Sequence, residues 1–283
     1  MEKTRLCMLT EHSPFMMSFV FFTAAGRAVV IDGGRPADMP WLFDEVGDRE
    51  IAAWILTHPH VDHISGFIDT VRQGDRVGQI QQVLYHFPSL AFQQRCEPDE
   101  EPTLRDFLEI EPLIRSKTLI VQPGMRITVD ELNIHFLYVG GEKHEHPKPN
   151  IAMNESSIVF RVTAPGLRSV LFLGDLGPEG GRDLLKHCSD DLPSDIVQMS
   201  HHGHAGVTEE VYRRIAPKAC MWCAPEWLWE EEGIEFEPEL WGTKRTRLWM
   251  DNLGVQEHYV TKDGTQYIPL AIDAEHFHRI CTE

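Results

Sequence analysis

Between Thr57 and His63 the chain reads Thr-His-Pro-His-Val-Asp-His, the pattern H-x-H-x-D-H, which sets three imidazoles and one carboxylate within six positions. The apolar run Ile51–Leu56 before it is short enough for a buried strand, and the segment from Ile64 to Val71 after it can begin a helix. In an extended segment residues two apart point the same way, so His58 and His60 can grip one cation. If the chain then turns, Asp62 and His63 face a second. Imidazole suits zinc, iron, manganese or nickel, and the carboxylate adds hard, anionic character. Pro59 fixes its own φ and pushes His58 toward an extended conformation, which stiffens the loop. A fold that uses this stretch must end a buried strand in a rigid loop and start a helix directly behind it.

A second stretch answers the first. The run Ser169-Val170-Leu171-Phe172-Leu173 reads as a wholly apolar strand that ends in Gly174-Asp175. A carboxylate there would be expensive to bury unpaired, so something cationic should sit beside it. The strand Ile196–Met199 then runs into Ser200-His201-His202-Gly203-His204. Six of the 15 histidines therefore lie in two short windows, each after an expected strand. His202, just before Gly203, is read as the ligand that closes the shell of the second cation. His201 is then left to touch substrate or act as proton donor. The reverse assignment of these two stays open.

The rest of the chain reads as strands with interspersed helices. Strands are expected near Arg5–Met8, Met17–Phe22 and Ala28–Ile31, with a hairpin turn at Ala24–Arg27. Further strands are expected at Gln81–Phe87, at Leu119–Gln122, Arg126–Val129 and Leu132–Val139 as a meander, and at Ile158–Val162 and Ala219–Ala224. Glu257–Val260 and Thr265–Ile268 are expected to form a final hairpin. Helices are expected at Met39–Val46, Ile64–Arg72, Thr103–Lys117 with a kink or end at Pro112, Gly180–His187, Glu209–Ile215 and Thr243–Asn252. Ile31-Asp32-Gly33-Gly34 allows a tight turn at a strand end. Tyr85 and His86 end a strand and could line a pocket or simply pack. The polar segment from Gly140 to Asn150, with His144 and His146, reads as a loop that could cover the site. Cys220 and Cys223 form a C-x-x-C without a second pair, and two buried thiols is the favoured reading. Trp227 and Trp229 could wall an apolar or cationic group or serve packing alone.

Composition sets outer limits. The 283 residues are 42% apolar and 25% charged, as in ordinary globular proteins. No run approaches the roughly 20 apolar residues of a membrane span, and the N-terminus lacks a signal-peptide pattern, so no membrane partner and a cytoplasmic location are expected. The net charge of −18 repels polyanions and argues against non-specific nucleic-acid binding.

Taken in order, Ile31–Gly34, the H-x-H-x-D-H stretch, Gly174-Asp175 and Ser200-His201-His202-Gly203 resemble the motifs of the metallo-β-lactamase superfamily. Asn154-Glu155-Ser156-Ser157 and the Ser-His-His-Gly run are most similar to the branch that contains competence-type DNA-internalisation domains and phosphocholine esterases. The resemblance implies an α/β (α+β) fold, a four-layer αββα sandwich in which residues 1–283 form one domain with the site at one edge. It implies two divalent metal ions, zinc first and manganese or iron as alternatives, held by His58, His60, Asp62, His63, Asp175 and His202. Asp175 resembles the aspartate that bridges both metals, and Asp32 the residue that braces the metal-binding loop without ligating. Many members place a third histidine on the first metal. Here Met153-Asn154-Glu155 occupies that region, so Asn154 would stand in weakly or bind substrate, with His86 as a further pocket residue.

The expected activity is hydrolysis of a phosphodiester or related phosphoester through a metal-bound hydroxide, with Asp62 orienting the nucleophile and His201 assisting the leaving oxygen. A carbonyl hydrolase for a lactone, thioester or amide would use the same centre. A binding module without catalysis on the same scaffold is the third reading.

Overall fold

The computed structural model describes residues 3–74, 76–98, 101–143, 152–234, 236 and 240–272. Its strands are β1 (Arg5–Met8), β2 (Ser18–Phe22), β3 (Ala28–Asp32), β4 (Ile51–Ile55), β5 (Val83–Tyr85), β6 (Thr118–Ile120), β7 (Arg126–Val129), β8 (Leu132–Val139), β9 (Ile158–Thr163), β10 (Val170–Phe172), β11 (Ile196–Gln198), β12 (Ala219–Trp222), β13 (Glu257–Val260) and β14 (Gln266–Ile268). They form two seven-stranded sheets, ordered β14-β1-β2-β3-β4-β5-β6 and β13-β12-β11-β10-β9-β8-β7. The helices are α1 (Met39–Val46), α2 (Val61–Gln73), α3 (Leu90–Cys96), α4 (Glu101–Ile114), α5 (Pro178–Cys188), α6 (Glu209–Ile215), α7 (Glu226–Glu230) and α8 (Thr243–Asn252).

Side-chain alternation builds the layers. In β2, Phe19 and Phe21 point to the core between the sheets, while Val20 and Phe22 join the layer beneath the first set of helices. The inter-sheet core centres on Phe172, stacked on Phe160 at 5.0 Å and met edge-on by Phe19 at 5.1 Å. Burying each such ring contributes roughly 1.5–3 kcal/mol. On the outer face of the first sheet, Met39 and Leu42 of α1, Ile64 and Phe67 of α2, and Leu104 and Phe107 of α4 cover Val30 and Trp54. On the outer face of the second, Leu184 of α5, Val211 and Tyr212 of α6, and Trp249 and Met250 of α8 cover Leu171, Val197 and Trp222. The result is a mixed α/β sandwich with helix, sheet, sheet and helix layers. Among the described residues no helix is long and apolar enough to cross a membrane.

Several elements differ from the sequence reading. β13 and β14 do not form a hairpin: β13 pairs in parallel with β12 and β14 antiparallel with β1, so the two strands end up in different sheets. The expected meander is broken in the same way. β6 is the edge of the first sheet and β7 that of the second, and the chain crosses between sheets at Pro123-Gly124, where Gly124 has φ +83°. α3 was not expected; Ser89 caps it, its Oγ accepting the Phe92 N–H at 3.2 Å. α2 begins at Val61, with His60 as its N-cap, so Asp62 and His63 sit in its first turn rather than in a loop before it.

The topology fixes where chemistry can collect. β3, β4, β5 and β6 run parallel, as do β10, β11, β12 and β13. Ligands gather outside the carboxyl ends of parallel strands. Those of β3, β4, β10 and β11 lead directly into Asp32, the histidine-rich stretch, Asp175 and His202. The Ile158 N–H donates to Thr57 O at 3.0 Å, tying the two sheets together at this edge.

Candidate metal centre

The loop after β4 is braced from β3. Asp32 has φ +52°, in the left-handed region, which turns its carboxylate back over the neighbouring strand end. Its Oδ1 accepts the Thr57 N–H at 2.8 Å, and its Oδ2 accepts the Thr57 hydroxyl at 2.7 Å and His63 Nδ1–H at 2.8 Å. The Trp54 indole N–H donates to the Asp32 carbonyl at 2.7 Å. Burial pushes the Asp32 carboxyl upward, partly offset by His63 beside it. Asp32 lies behind the histidines and touches the centre through His63.

Each histidine of the centre spends one nitrogen on a protein acceptor, which assigns its tautomer. His58 Nδ1–H donates to Thr57 Oγ1 at 3.1 Å, and His60 Nε2–H to Glu97 Oε1 at 2.7 Å. His63 is fixed by Asp32, and His202 Nδ1–H donates to the Cys223 carbonyl at 2.9 Å. The remaining nitrogens converge. His58 Nε2 and His60 Nδ1 face each other at 3.1 Å. His63 Nε2 lies 3.2 Å from Asp175 Oδ2 and 3.3 Å from Asp62 Oδ2. His202 Nε2 lies 3.1 Å from Asp62 Oδ2 and 3.5 Å from Asp175 Oδ2. Asp175 Oδ2 is also 3.9 Å from His58 Nε2, so this one oxygen reaches both groups of histidines.

Backbone strain aims the second cluster. Gly174 has φ +57°, which lets the Asp175 N–H meet Ser157 Oγ at 3.1 Å. The Gln198 side chain locks the turn, accepting the Leu173 N–H at 2.8 Å and donating to Gly174 O at 3.0 Å. His201 and His202 are both left-handed, at φ +49° and +56°. Two consecutive non-glycine residues in that region are costly and persist only when surroundings hold them. Gly203 follows at φ +92°, pressed so closely on Trp222 that a Cβ would lie 2.5 Å from the ring.

The electrostatics follow from burial and mutual charge. Burial opposes charge on His63, but Asp175, Asp62 and Asp32 outweigh it and hold the imidazolium well above its ordinary range. The same balance, with Asp175 first and Asp62 helping, raises His202 to about 9. In return, although burial works against them, Asp62 and Asp175 are held well below the usual carboxylate range, chiefly by His63 and His202. Burial, reinforced by His63, keeps His58 neutral, and burial lowers His201 to about 4.

These residues fit divalent cations. Asp62, His63, Asp175 and His202 each offer a ligand atom within 4.8 Å of the others. Among the described residues Asp175 Oδ1 is buried with no hydrogen-bond partner, and His58 Nε2 and His60 Nδ1 converge beside it at 3.1 Å. The donor set is nitrogen and oxygen throughout, which zinc, manganese and iron all accept.

The centre opens into a cavity of about 270 Å3 lined by Phe15, Arg35, His60, Val61, Asp62, Asn154, Asp175 and His201. The Asn154 amide N–H donates to His201 Nε2 at 3.3 Å. Larger depressions exist, one of about 610 Å3 at Trp229, Arg247 and His258, but its lining includes none of these ligands. His86 stands apart: its Nδ1–H donates to the Val121 carbonyl at 2.8 Å and it does not line the cavity. His204 packs tilted against His201, with ring centroids 4.2 Å apart. The Trp227 indole N–H donates to the Pro14 carbonyl at 3.2 Å, while Trp229 meets Trp222 edge-on. Cys220 and Cys223 are buried, and burial pushes both thiols up. His144 and His146 lie outside the described residues. Glu97, Arg35 and Phe15 were missed by the sequence reading. Only Arg35, two residues beyond the first glycine of the Asp32 turn, had a positional signal.

The family model for the metallo-beta-lactamase superfamily matches residues 14–219. A search of curated proteins returns no match. Among solved structures, the chain is similar to the metallo-beta-lactamase fold protein YhfI from Bacillus subtilis, at 14% identity and a TM-score of 0.55, covering 94% of this chain and 100% of that one. It is also similar to CmlA, a diiron beta-hydroxylase from Streptomyces venezuelae, at 14% identity and a TM-score of 0.59, covering 95% of this chain but only 55% of CmlA.

Proposed function

The chain belongs to the metallo-beta-lactamase superfamily, and from that premise we propose that it is a dinuclear metal-dependent hydrolase acting on a phosphodiester or related phosphoester. The observation that carries the reading is Asp175, whose Oδ2 is within 4 Å of His58, His63 and His202 at once (3.9, 3.2 and 3.5 Å). In this reading His58, His60 and Asp175 would hold one cation, and Asp62, His63, Asp175 and His202 would hold the other, with both sheets forming one domain. Two such cations would supply Lewis acidity and a water of lowered pKa.

The protein's own groups do the rest. Asp62, in the first turn of α2, would accept a hydrogen bond from the attacking water and set its direction. His201, uncharged at neutral pH, stabilises the leaving oxygen by hydrogen bonding. Asn154 holds His201 in place. Asp32, Glu97 and the Cys223 carbonyl keep the histidine rings turned inward. The resemblance to the branch with competence-type and phosphocholine esterase-like proteins rests on Asn154–Ser157 and Ser200–Gly203. Asn154 contacts His201, the Glu155 carboxylate accepts the Glu179 and Gly180 N–H groups at the start of α5 (2.9 and 2.6 Å), and Ser157 Oγ receives the Asp175 N–H.

The test is turnover by protein loaded with zinc, manganese or iron, the last included because CmlA is a diiron protein. Phosphomonoesters and phosphodiesters are run beside a lactone and thioester panel. Phosphoester hydrolysis abolished by Asp175→Ala is expected. Turnover of lactones or thioesters alone would move the assignment to a carbonyl hydrolase, and metal binding without turnover of either to a binding module.

A further inference from the structure

We propose that Arg35 is an anion-recognition residue, holding a non-bridging oxygen of an anionic phosphoester at the mouth of the metal centre. This deepens the phosphoesterase reading and rests on it for the identity of the substrate. Among the described residues lining the cavity Arg35 is the one Lys or Arg side chain, and it shares the cavity with Asp62, Asp175 and His201. Its position is built rather than incidental. It follows the Asp32-Gly33-Gly34 turn, and Gly34 has φ +73° with no room for a Cβ against Asp38 and Met16. The Arg35 backbone N–H donates to Asp38 Oδ2 at 2.8 Å.

Asp38 anchors that backbone and does not neutralise the guanidinium. Its Oδ1 accepts the His12 N–H at 2.7 Å, and its Oδ2 also accepts the Ser13 hydroxyl at 2.8 Å. Among the described residues the Arg35 guanidinium has no carboxylate partner, and its Nε is buried without an acceptor. A buried donor with no acceptor is unfavourable, and it signals an acceptor that arrives from outside. Arginine presents a planar fork of N–H donors that matches phosphoryl oxygens.

Phe15 completes the mouth. The Arg35 guanidinium lies 5.9 Å from its ring centroid, and the ring meets His202 edge-on at 4.8 Å and Trp227 at 6.0 Å. An anionic group reaching the metals from solvent would thus pass a cation backed by aromatic edges. A neutral ester would gain nothing from Arg35.

The experiment compares wild type, Arg35→Met and Arg35→Lys, all zinc-loaded, with metal content checked by elemental analysis. Calorimetry gives the affinity for inorganic phosphate. Kinetics give kcat/KM for bis(4-nitrophenyl) phosphate, an anionic diester, and for its neutral methyl triester. The proposal expects Arg35→Met to bind phosphate about tenfold or more weakly at unchanged metal content, with Arg35→Lys in between. It also expects the diester to lose about tenfold in kcat/KM while the triester stays within about twofold. Unchanged phosphate affinity in Arg35→Met, equal losses on both esters, or no phosphate binding by wild type would overturn it. Arg35-dependent phosphate binding without any phosphoester turnover would uphold the anion site and sink the phosphoesterase reading instead.

Discussion

His60 Nε2 and Glu97 Oε1 lie 2.7 Å apart, and the other Glu97 oxygen accepts the Met153 N–H at 2.8 Å. Both side chains are buried, Glu97 completely. A carboxylate behind a metal-binding histidine fixes its tautomer and raises its basicity. This matters in the two-cation reading, in which His58 and His60 would hold the first cation without a third histidine. Glu97→Gln should therefore weaken the cation at His58 and His60 about 10–100-fold and leave the Asp62, His63, Asp175 and His202 group intact. Competition against a chelator series, read as two separate affinities, checks this. Equal weakening of both cations would contradict it.

Metal uptake should release protons. In the metal-free protein His63 is held well above its ordinary range and His202 at about 9, so both are charged at neutral pH, whereas a metal requires them neutral. Filling that side at pH 7 should release about two protons, and affinity should fall as pH drops. Calorimetry in buffers of different ionisation enthalpy measures the number directly, and a value near zero would show that the pair is not displaced.

The same shifts set the stability of the metal-free protein against pH. For His63 and His202 the folded pKa is raised, so their contribution is complete below about 6.5 and is lost as pH climbs, through about 9 for His202. For His58 and His201 it is lowered, so their contribution is complete above about 6.5 and is lost as pH falls, through about 4 for His201. On these four histidines the metal-free protein should be most stable near pH 6.5, while Glu155, raised by burial to about 7, works against stability as pH climbs from about 4.5; metal should flatten the alkaline limb. Denaturant titrations across pH, with and without zinc, test both limbs.

Asp32→Ala should destabilise the metal-free fold by about 1–3 kcal/mol for each donor it strands, because the buried His63 Nδ1–H and Thr57 N–H lose their acceptor while Asp175 and Asp62 still face His63 Nε2. Gly203→Ala should cost about 2 kcal/mol or more, since it adds a methyl group against Trp222 at a φ of +92°. It should also displace His202 and lower metal content on that side. A Gly203→Ala protein with normal stability and full metal would show that the strained turn is not what aims His202.

Much of this was legible in the sequence because the signals are local. The alternation of Phe19, Val20, Phe21 and Phe22 fixes a two-faced strand, and the ligands fall at strand ends that apolar runs already mark. The strand pairing of β13 and β14 was not legible. Lys262-Asp263-Gly264 looks like any hairpin turn, and only the packing of the whole second sheet sends the two strands apart. Glu97 was hidden for a related reason. It lies 37 residues from His60 in an acidic stretch with no pattern, and only the unexpected helix α3 carries it to the site. The sequence favoured His202 as the ligand but left the reverse assignment with His201 open. Their consecutive left-handed backbone separates them, turning His202 to the carboxylates and His201 to Asn154.

The central claim is a pair of cations sharing Asp175. The most direct measurement is elemental analysis of metal per chain in wild type, Asp175→Ala and the double variant Asp62→Ala/His202→Ala. The account predicts about two ions in wild type, one in the double variant and fewer than one in Asp175→Ala. One ion or none in wild type after incubation with zinc and manganese, or two ions retained in Asp175→Ala, would contradict it.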